Sequence, residues 1–202
     1  LVGVSGAFRG KGKGSADSAA YFFGGMNDPQ TGNATNDVQR LVIKTGDWEQ
    51  VNAANATEFK ARIFGAAAYD PDHDAIWVVG GISNCALPDV IGGGNCPARP
   101  LSTNYLTWDA QGNATWNTLA NGNQSIYAHS MVYDAARTRM LIFGGTSNIT
   151  RGSTDVLALD LADADVTKAK FVNVATTGTA PSTYFHGAAF MAARNWMVAY
   201  GG

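Results

Sequence analysis

An all-β fold assembled from one repeated unit is what this sequence predicts. Three observations predict it. A Gly-Gly doublet recurs four times behind a short apolar run. Short Val/Ile/Tyr/Phe/Trp segments alternate with glycine-rich turns. No stretch carries a convincing helical stripe; the best candidate, Thr57 to Phe64, is short and runs into Gly65.

Composition bounds the function. Hydrophobic residues make up 46% of the 202 and charged residues 15%, the balance of a globular chain. The net charge of -2 is scattered, which argues against a nucleic-acid surface or a basic membrane-adsorbing face. No apolar run approaches the roughly 20 residues of a membrane span. Leu1 opens no signal-peptide pattern, as expected also of a chain that begins after one. The 24 glycines follow no Gly-X-Y period, so collagen is excluded.

The doublets are Gly24-Gly25, Gly80-Gly81, Gly144-Gly145 and Gly201-Gly202, spaced 56, 64 and 57 residues apart. Each follows a strand-like run: Tyr21 to Phe23, Ile76 to Val79, Met140 to Phe143 and Met197 to Tyr200. Before these runs come Phe64 to Tyr69, Ala128 to Tyr133 and Phe185 to Phe190, each joined to the next by a five-residue turn. In the first copy, Val4 to Phe8 leads into a longer polar turn, Arg9 to Ser18. After each doublet comes a variable loop, then a third strand: Val38 to Ile43, Tyr105 to Trp108, or Val156 to Leu159. A fourth strand carries an aromatic: Trp48, Trp116 or Phe171.

This combination resembles the kelch repeat, with Phe171 standing where a Trp is usual. The resemblance covers nearly the whole chain. It implies a kelch-type β-propeller with blades of four antiparallel strands, here at about residues 1–58, 59–122 and 123–178, with a half blade at 179–202. Within one domain of 202 residues that is about half of a six- or seven-bladed propeller. The physics agrees: a four-stranded sheet cannot bury both faces alone, and radial stacking covers each against a neighbour. Glycine at the end of the second strand permits positive φ and close backbone approach. Burying the fourth-strand Trp is worth roughly 2–3 kcal/mol. Closed propellers need 4–8 blades, so the remaining blades are expected from the same longer chain or from a second chain.

Five Asn-X-Ser/Thr sequons, at Asn33, Asn55, Asn113, Asn123 and Asn148, fall in predicted loops and turns, where N-glycosylation needs them. Asn and Thr also frequent turns for their own reasons. Cys85 and Cys96 bracket a Gly-rich loop that lengthens the second interval. A disulfide there would close about ten residues for 2–3 kcal/mol; free thiols are the alternative, and two cysteines alone make a poor zinc site. Sequons and disulfide together favour a secreted or cell-surface location.

His129 and His186 occupy equivalent positions at the start of a blade's first strand, and the resemblance implies that such strands line a central channel. They read either as part of an imidazole ring at one mouth or as residues hydrogen-bonding between blades; Gly65 at the same place breaks the ring. Asp70, Asp72 and Asp74 alternate around His73, but the loop lacks the Gly and distal Glu of a calcium loop and reads as a turn. Arg9 to Ser15 contains a Gly-Lys-Gly-Ser string without P-loop spacing and reads as a flexible hairpin turn open to an acidic partner. No nucleophile with a recognisable base appears, and Glu49 and Glu58 are the only glutamates. The expectation is therefore a non-catalytic binding or scaffolding module without cofactor. Its ligand would be a protein or glycan, held by the Cys85–Cys96 loop, the Asn148 to Thr154 loop and the Arg9 to Ser15 turn. Two alternatives stand beside it. Some kelch propellers are copper-radical oxidases built on Tyr, His and a Tyr-linked Cys, which implies a secreted carbohydrate-active enzyme. The other is a subunit of a cell-surface or filament assembly.

Overall fold

The computed structural model describes residues 2–12, 14, 17–28, 30, 33–83, 85, 101–147 and 152–202. Fourteen strands form successive antiparallel meanders. The first sheet comprises β1 (Ser5–Arg9), β2 (Ala19–Phe23), β3 (Val38–Val42) and β4 (Trp48–Gln50). The second comprises β5 (Ala66–Asp70), β6 (Ala75–Val79), β7 (Asn104–Trp108) and β8 (Ala114–Thr118). The third comprises β9 (Ser130–Asp134), β10 (Arg139–Phe143), β11 (Val156–Asp160) and β12 (Lys170–Asn173). A fourth sheet pairs β13 (Gly187–Met191) with β14 (Trp196–Tyr200). The chain is thus all-β in four-stranded antiparallel sheets. Thr57 to Phe64 forms no helix, and the helical turn that is present, a 3₁₀ turn at Val166–Lys168, had no sequence signal.

The sheets stack face to face. Tyr21, Phe23 and Val38 of the first meet Ile76, Val78, Leu106 and Trp116 of the second. The second sheet's other face, with Trp77, Val79 and Tyr105, meets Met131, Met140, Ile142 and Leu159 of the third. The third then packs through Val132, Leu141 and Ala158 on Ala188, Phe190 and Met197 of the fourth. All five residues of β6 are buried because both faces are covered, which is why Ala-Ile-Trp-Val-Val shows no polar alternation. First strands are mutual neighbours, β1 beside β5, β5 beside β9 and β9 beside β13. The Ala66-Ala67-Ala68 run suits that close approach, while the bulk of Trp108 and Trp116 fills the wider gap further out.

Register reveals a row that repeats across each sheet. Phe8 faces Ala20, Ala20 faces Leu41 and Leu41 faces Trp48. The second sheet reads Tyr69, Ile76, Leu106, Trp116. The third reads Tyr133, Met140, Leu159, Phe171. Each row runs aromatic, small or aliphatic, leucine, aromatic; such cross-strand neighbours are the unit of sheet stabilisation. The fourth sheet begins the row with Phe190 and Met197.

The fourth-strand aromatics differ in environment. Trp116 is 2% exposed and stacks on Phe59 at 4.3 Å. Phe171 is half-buried against the second sheet. Trp48 departs from the expected role as inter-sheet mass: it lies 60% exposed beside Phe22, on a face of β1–β4 that no sheet among the described residues covers.

The doublets tie sheet to sheet. In the first three doublets the second glycine donates its N–H to a carbonyl of the next repeat: Gly25 to Arg62, Gly81 to Ile126 and Gly145 to Thr183, at 2.9, 2.8 and 2.9 Å. The first glycine of the second doublet, Gly80, has φ +62, and a Cβ there would lie 2.2 Å from the Ile126 oxygen. Both conditions demand glycine.

Candidate functional site

Antiparallel meanders sort the connections between two ends of the molecule. The β2–β3, β6–β7 and β10–β11 loops leave the doublets at one end; the β1–β2, β5–β6, β9–β10 and β13–β14 turns lie at the other. The Cys85 loop and the segment reaching Thr154 therefore share the doublet end. The Arg9 to Ser15 turn does not join them.

That turn is also less available than expected. Arg9 is 1% exposed and forms a two-pronged ion pair with Asp74, Nε to Oδ1 and Nη2 to Oδ2, each 2.8 Å. Its guanidinium lies 3.8 Å from the centre of the Trp108 ring. Burial works against the charge, but the hydrogen bond and charge of Asp74 outweigh it and hold Arg9 above its ordinary pKa. Gly12 packs against the ion pair, and Gly14 abuts the backbone of Gly112 in the next sheet. The described part of the turn is folded onto its neighbour; Lys13 and Ser15 lie outside the described residues.

The three aspartates of the β5–β6 turn go to three different partners. Asp70 Oδ2 meets His73 Nδ1 at 2.6 Å, Asp72 Oδ2 accepts from Tyr133 of the third sheet at 2.6 Å, and Asp74 holds Arg9. Tyr69 donates to Asp74 Oδ1 at 2.9 Å, and burial followed by that carboxylate pushes its hydroxyl up to about 12. Asp72 and Asp74 knit sheets together, while Asp70 holds its own turn.

At the doublet end a main-chain ladder runs from sheet to sheet. Phe64 N–H donates to Gly3 O, Ala128 N–H to Phe64 O and Phe185 N–H to Ala128 O, each at 2.8 Å. Phe64, Ala128 and Phe185 all hold positive φ, at 57°, 55° and 57°. A bulky residue there is strained, and such strain persists only where surrounding contacts impose it. The Phe64 and Phe185 rings meet edge to face at 4.9 Å, and Tyr184 joins Phe185 at 5.6 Å. This aromatic group escaped sequence reading because nothing local marks a phenylalanine for left-handed backbone. Its signal was the fixed position before Gly65, His129 and His186.

His129 and His186 serve the joints between sheets. His186 Nε2 lies 2.8 Å from Ser130 Oγ, linking the fourth sheet to the third. Its ring sits over Gly144, and the His129 ring sits over Gly80 and its Cβ over Gly145. Neither ring nitrogen of His129 meets a hydrogen-bond partner among the described residues. Near Gly65, which stands where the histidine would be, Arg62 ties back to the first repeat through its backbone and turns its guanidinium into its own repeat. It is fully buried, donating to the Gly80 and Ser102 carbonyls at 3.0 Å each, to Asn104 Oδ1 at 2.7 Å and to the Lys60 carbonyl at 3.1 Å. Burial brings its pKa down to about 10, so it stays charged at neutral pH. Sequence reading did not single out Arg62; one buried arginine has no repeat partner to betray it.

Burial, reinforced by the neighbouring His186, lowers the His129 pKa to about 3; burial also lowers His186, offset in part by the Phe143 backbone. A folded-state pKa below the ordinary 6.5 means the unfolded chain takes up the protons first. The part of the stability that rests on a neutral, buried His129 is therefore full above about pH 6.5 and falls as pH drops toward 3, and His186 acts in the same direction. Urea midpoints measured from pH 7 to 4.5 are expected to decline, and His129→Gln to flatten the decline. An unchanged slope in that variant refutes the assignment.

Asn33, Asn55, Asn113 and Asn123 are exposed, and Asn148 lies outside the described residues. Asn113 Nδ2 donates to Asp109 Oδ2 at 2.8 Å. A glycan on that nitrogen leaves one N–H for the same bond. Cys85 is buried and carries no free thiol, while Cys96 lies outside the described residues. Beside the third sheet, at the doublet end, an open crevice of about 580 Å³ is lined by polar groups including Thr154, Asp155, Asn173 and Thr179. Among the described residues no three His, Cys, Asp or Glu side chains gather where they could hold a metal. No described helix is long and apolar enough to cross a membrane.

No family model matches the chain, and no curated protein matches it either. Solved structures that this chain resembles include the following two. One is the structure of YjhT, at 16% identity and a TM-score of 0.57 over 85% of this chain and 53% of that one. The other is a fungal alcohol oxidase of the AA5 family in complex with copper, at 15% identity and a TM-score of 0.44 over 94% of this chain and 44% of that one. The chain thus spans about half the length of each of these two proteins. At these identities the likeness is one of fold: stacked four-stranded antiparallel sheets of the β-propeller type.

Proposed function

We propose that this chain is about half of an extracellular kelch-type β-propeller that binds a protein or glycan through its doublet-end loops, without catalysis. The observation that carries this reading is the division of labour between the ends. At the turn end, Asp74 and Asp72 are spent on ties between sheets, to Arg9 and to Tyr133. The doublet end bears the long loops, the half-exposed aromatics Tyr184 and Phe185, and the polar crevice at Asp155 and Asn173. Polar groups beside aromatic faces suit a sugar or a loop-borne peptide, and rigid sheets carrying variable loops are the usual platform for such recognition. Further blades, from the same longer polypeptide or a second chain, would complete the ring. Disulfide Cys85–Cys96 would brace the longest loop, and N-glycans on exposed sequons would fit a secreted or cell-surface location.

Two measurements test this. Protein expressed through a secretory route is screened against glycan and extracellular-protein arrays. Paired substitution Asp155→Ala and Asn173→Ala is expected to weaken any hit by tenfold or more, about 1.4 kcal/mol, while Asp163→Ala at the turn end leaves it unchanged. The reverse pattern places the ligand elsewhere. Peptide mass mapping of the same material is expected to find a glycan on Asn113 or Asn148; bare asparagine at all five sequons would overturn the compartment assigned.

A further inference from the structure

The rim of each complete sheet is its fourth strand, and the second and third sheets differ there. The outer edge of β8 is filled. Ala54, in the connector that arrives from the first sheet, lies parallel to it. Its N–H donates to Ala114 O at 2.9 Å, and its carbonyl accepts the Trp116 N–H at 3.0 Å. Asn55 Nδ2 adds a bond to Trp116 O at 3.5 Å. Ala53 packs on the apolar cluster that holds Ala114 and Trp116.

The rim strand β12 repeats the acceptor without the segment. Trp116 faces Leu106 and Phe171 faces Leu159, so register makes Phe171 the counterpart of Trp116 and Ala169 that of Ala114. Ala114 and Ala169 are both buried. Val174 N–H bonds to Val156 O across the β11–β12 pair. Antiparallel alternation then gives Val172 and Lys170 the bonded positions and turns the N–H and C=O of Phe171 away from the sheet. Among the described residues no strand pairs with that edge. The cause lies in the connectors. Val51 to Ile63 leads into the second sheet, whereas Leu119 to Tyr127, leading into the third, is four residues shorter. The shorter one is held to its own repeat: Leu119 N–H donates to Thr103 O at 2.9 Å, Gly122 N–H to Leu119 O at 3.1 Å and Gln124 N–H to Leu101 O at 3.1 Å. Leu119 meets the third sheet through apolar packing.

We infer that the outer edge of β12 is a docking strand for an extended segment of another polypeptide, laid parallel to it and built of small, non-basic residues, as Asn52 to Asn55 is. Main-chain bonds to Ala169 O and Phe171 N–H would supply affinity, and a small side chain over Ala169 would supply the fit. Lys170 stands exposed in the middle of the edge and repels a basic segment; a lysine on an edge strand also guards against unselective pairing. Neither main-chain bond involves the loops of the doublet end.

The test follows the backbone amide signals of the isotope-labelled 202-residue chain while a synthetic peptide of the sequence Val51 to Glu58 is added. A matched peptide is N-methylated at the residue corresponding to Ala54, which deletes the N–H that would meet Ala169 O. Saturable shifts and slowed hydrogen exchange centred on Phe171 are expected from the first peptide. The second is expected to bind weaker by about tenfold or more. Equal binding of the two overturns the inference. So does an absence of shifts at up to about 1 mM peptide while the amide spectrum shows the chain folded. Shifts centred on Trp116 overturn it too, since the peptide would then be exchanging with the resident segment rather than adding to β12. The array screen reads side chains at the doublet end, so failure of the docking strand and failure of the ligand reading are distinguishable.

Discussion

Truncating Trp116 to alanine is expected to destabilise the protein by about 3–5 kcal/mol. For a chain of this length that lowers the melting temperature by roughly 6–20 °C. Three contacts make the residue costly to lose. Its indole is 2% exposed, lies parallel to Phe59 at 4.3 Å and meets Phe23 edge-on at 5.7 Å. It also closes the cross-strand row through Leu106. The gap left would lie between two sheets whose backbones are tied by Gly25 and Arg62, so neither sheet can collapse to fill it. Trp48→Ala provides the contrast: the equivalent residue, 60% exposed, is expected to cost under about 1 kcal/mol. Thermal melts of the two variants decide the matter, and equal losses would show that stacking of the second sheet on the first is not what holds Trp116.

Removing Asp74 is the second large effect. Asp74→Ala removes the carboxylate partner of a guanidinium that is 1% exposed and deprives Tyr69 of its acceptor. Breaking one side of a buried ion pair costs about 3–5 kcal/mol, much of it the penalty of the orphaned charge. The double change Arg9→Met with Asp74→Leu is expected to recover most of that loss, because it removes both charges and keeps apolar bulk over Trp108. High salt is expected to leave the wild type unchanged, since a pair out of solvent is poorly screened. A loss below about 1 kcal/mol for Asp74→Ala would mean that the pair behaves like an exposed one.

The repeat was the most legible feature of the sequence. Doublets, turn lengths and apolar runs located the strands to within a residue or two: β1 begins at Ser5 rather than Val4, and β7 at Asn104 rather than Tyr105. The leucine row was not legible, because it depends on register across three strands of unequal loop spacing. Leu41, Leu106 and Leu159 align only once the pairs are known. The histidines were legible as equivalent positions, and of the two readings kept open the Ser130 to His186 contact fits the joint between sheets. Arg9 was misjudged for a physical reason: a basic, glycine-rich hairpin looks solvated until an aspartate 65 residues away is known to lie beneath it. Arg62 gave no signal, since its partners are carbonyls and an amide rather than a carboxylate whose spacing could be read.

The ladder from Gly3 through Phe64 and Ala128 to Phe185 has a consequence for how this molecule can diversify. Its rungs join peptide groups, so no exchange of side chain deletes a donor or an acceptor, proline excepted. Glycine, alanine and phenylalanine already occupy successive rungs with the same bond length. The cohesion of this end therefore does not depend on whether a methyl or an aromatic ring sits on Phe64, Ala128 or Phe185, within the limits that their positive φ sets, so side-chain character there can change without loosening one sheet from the next.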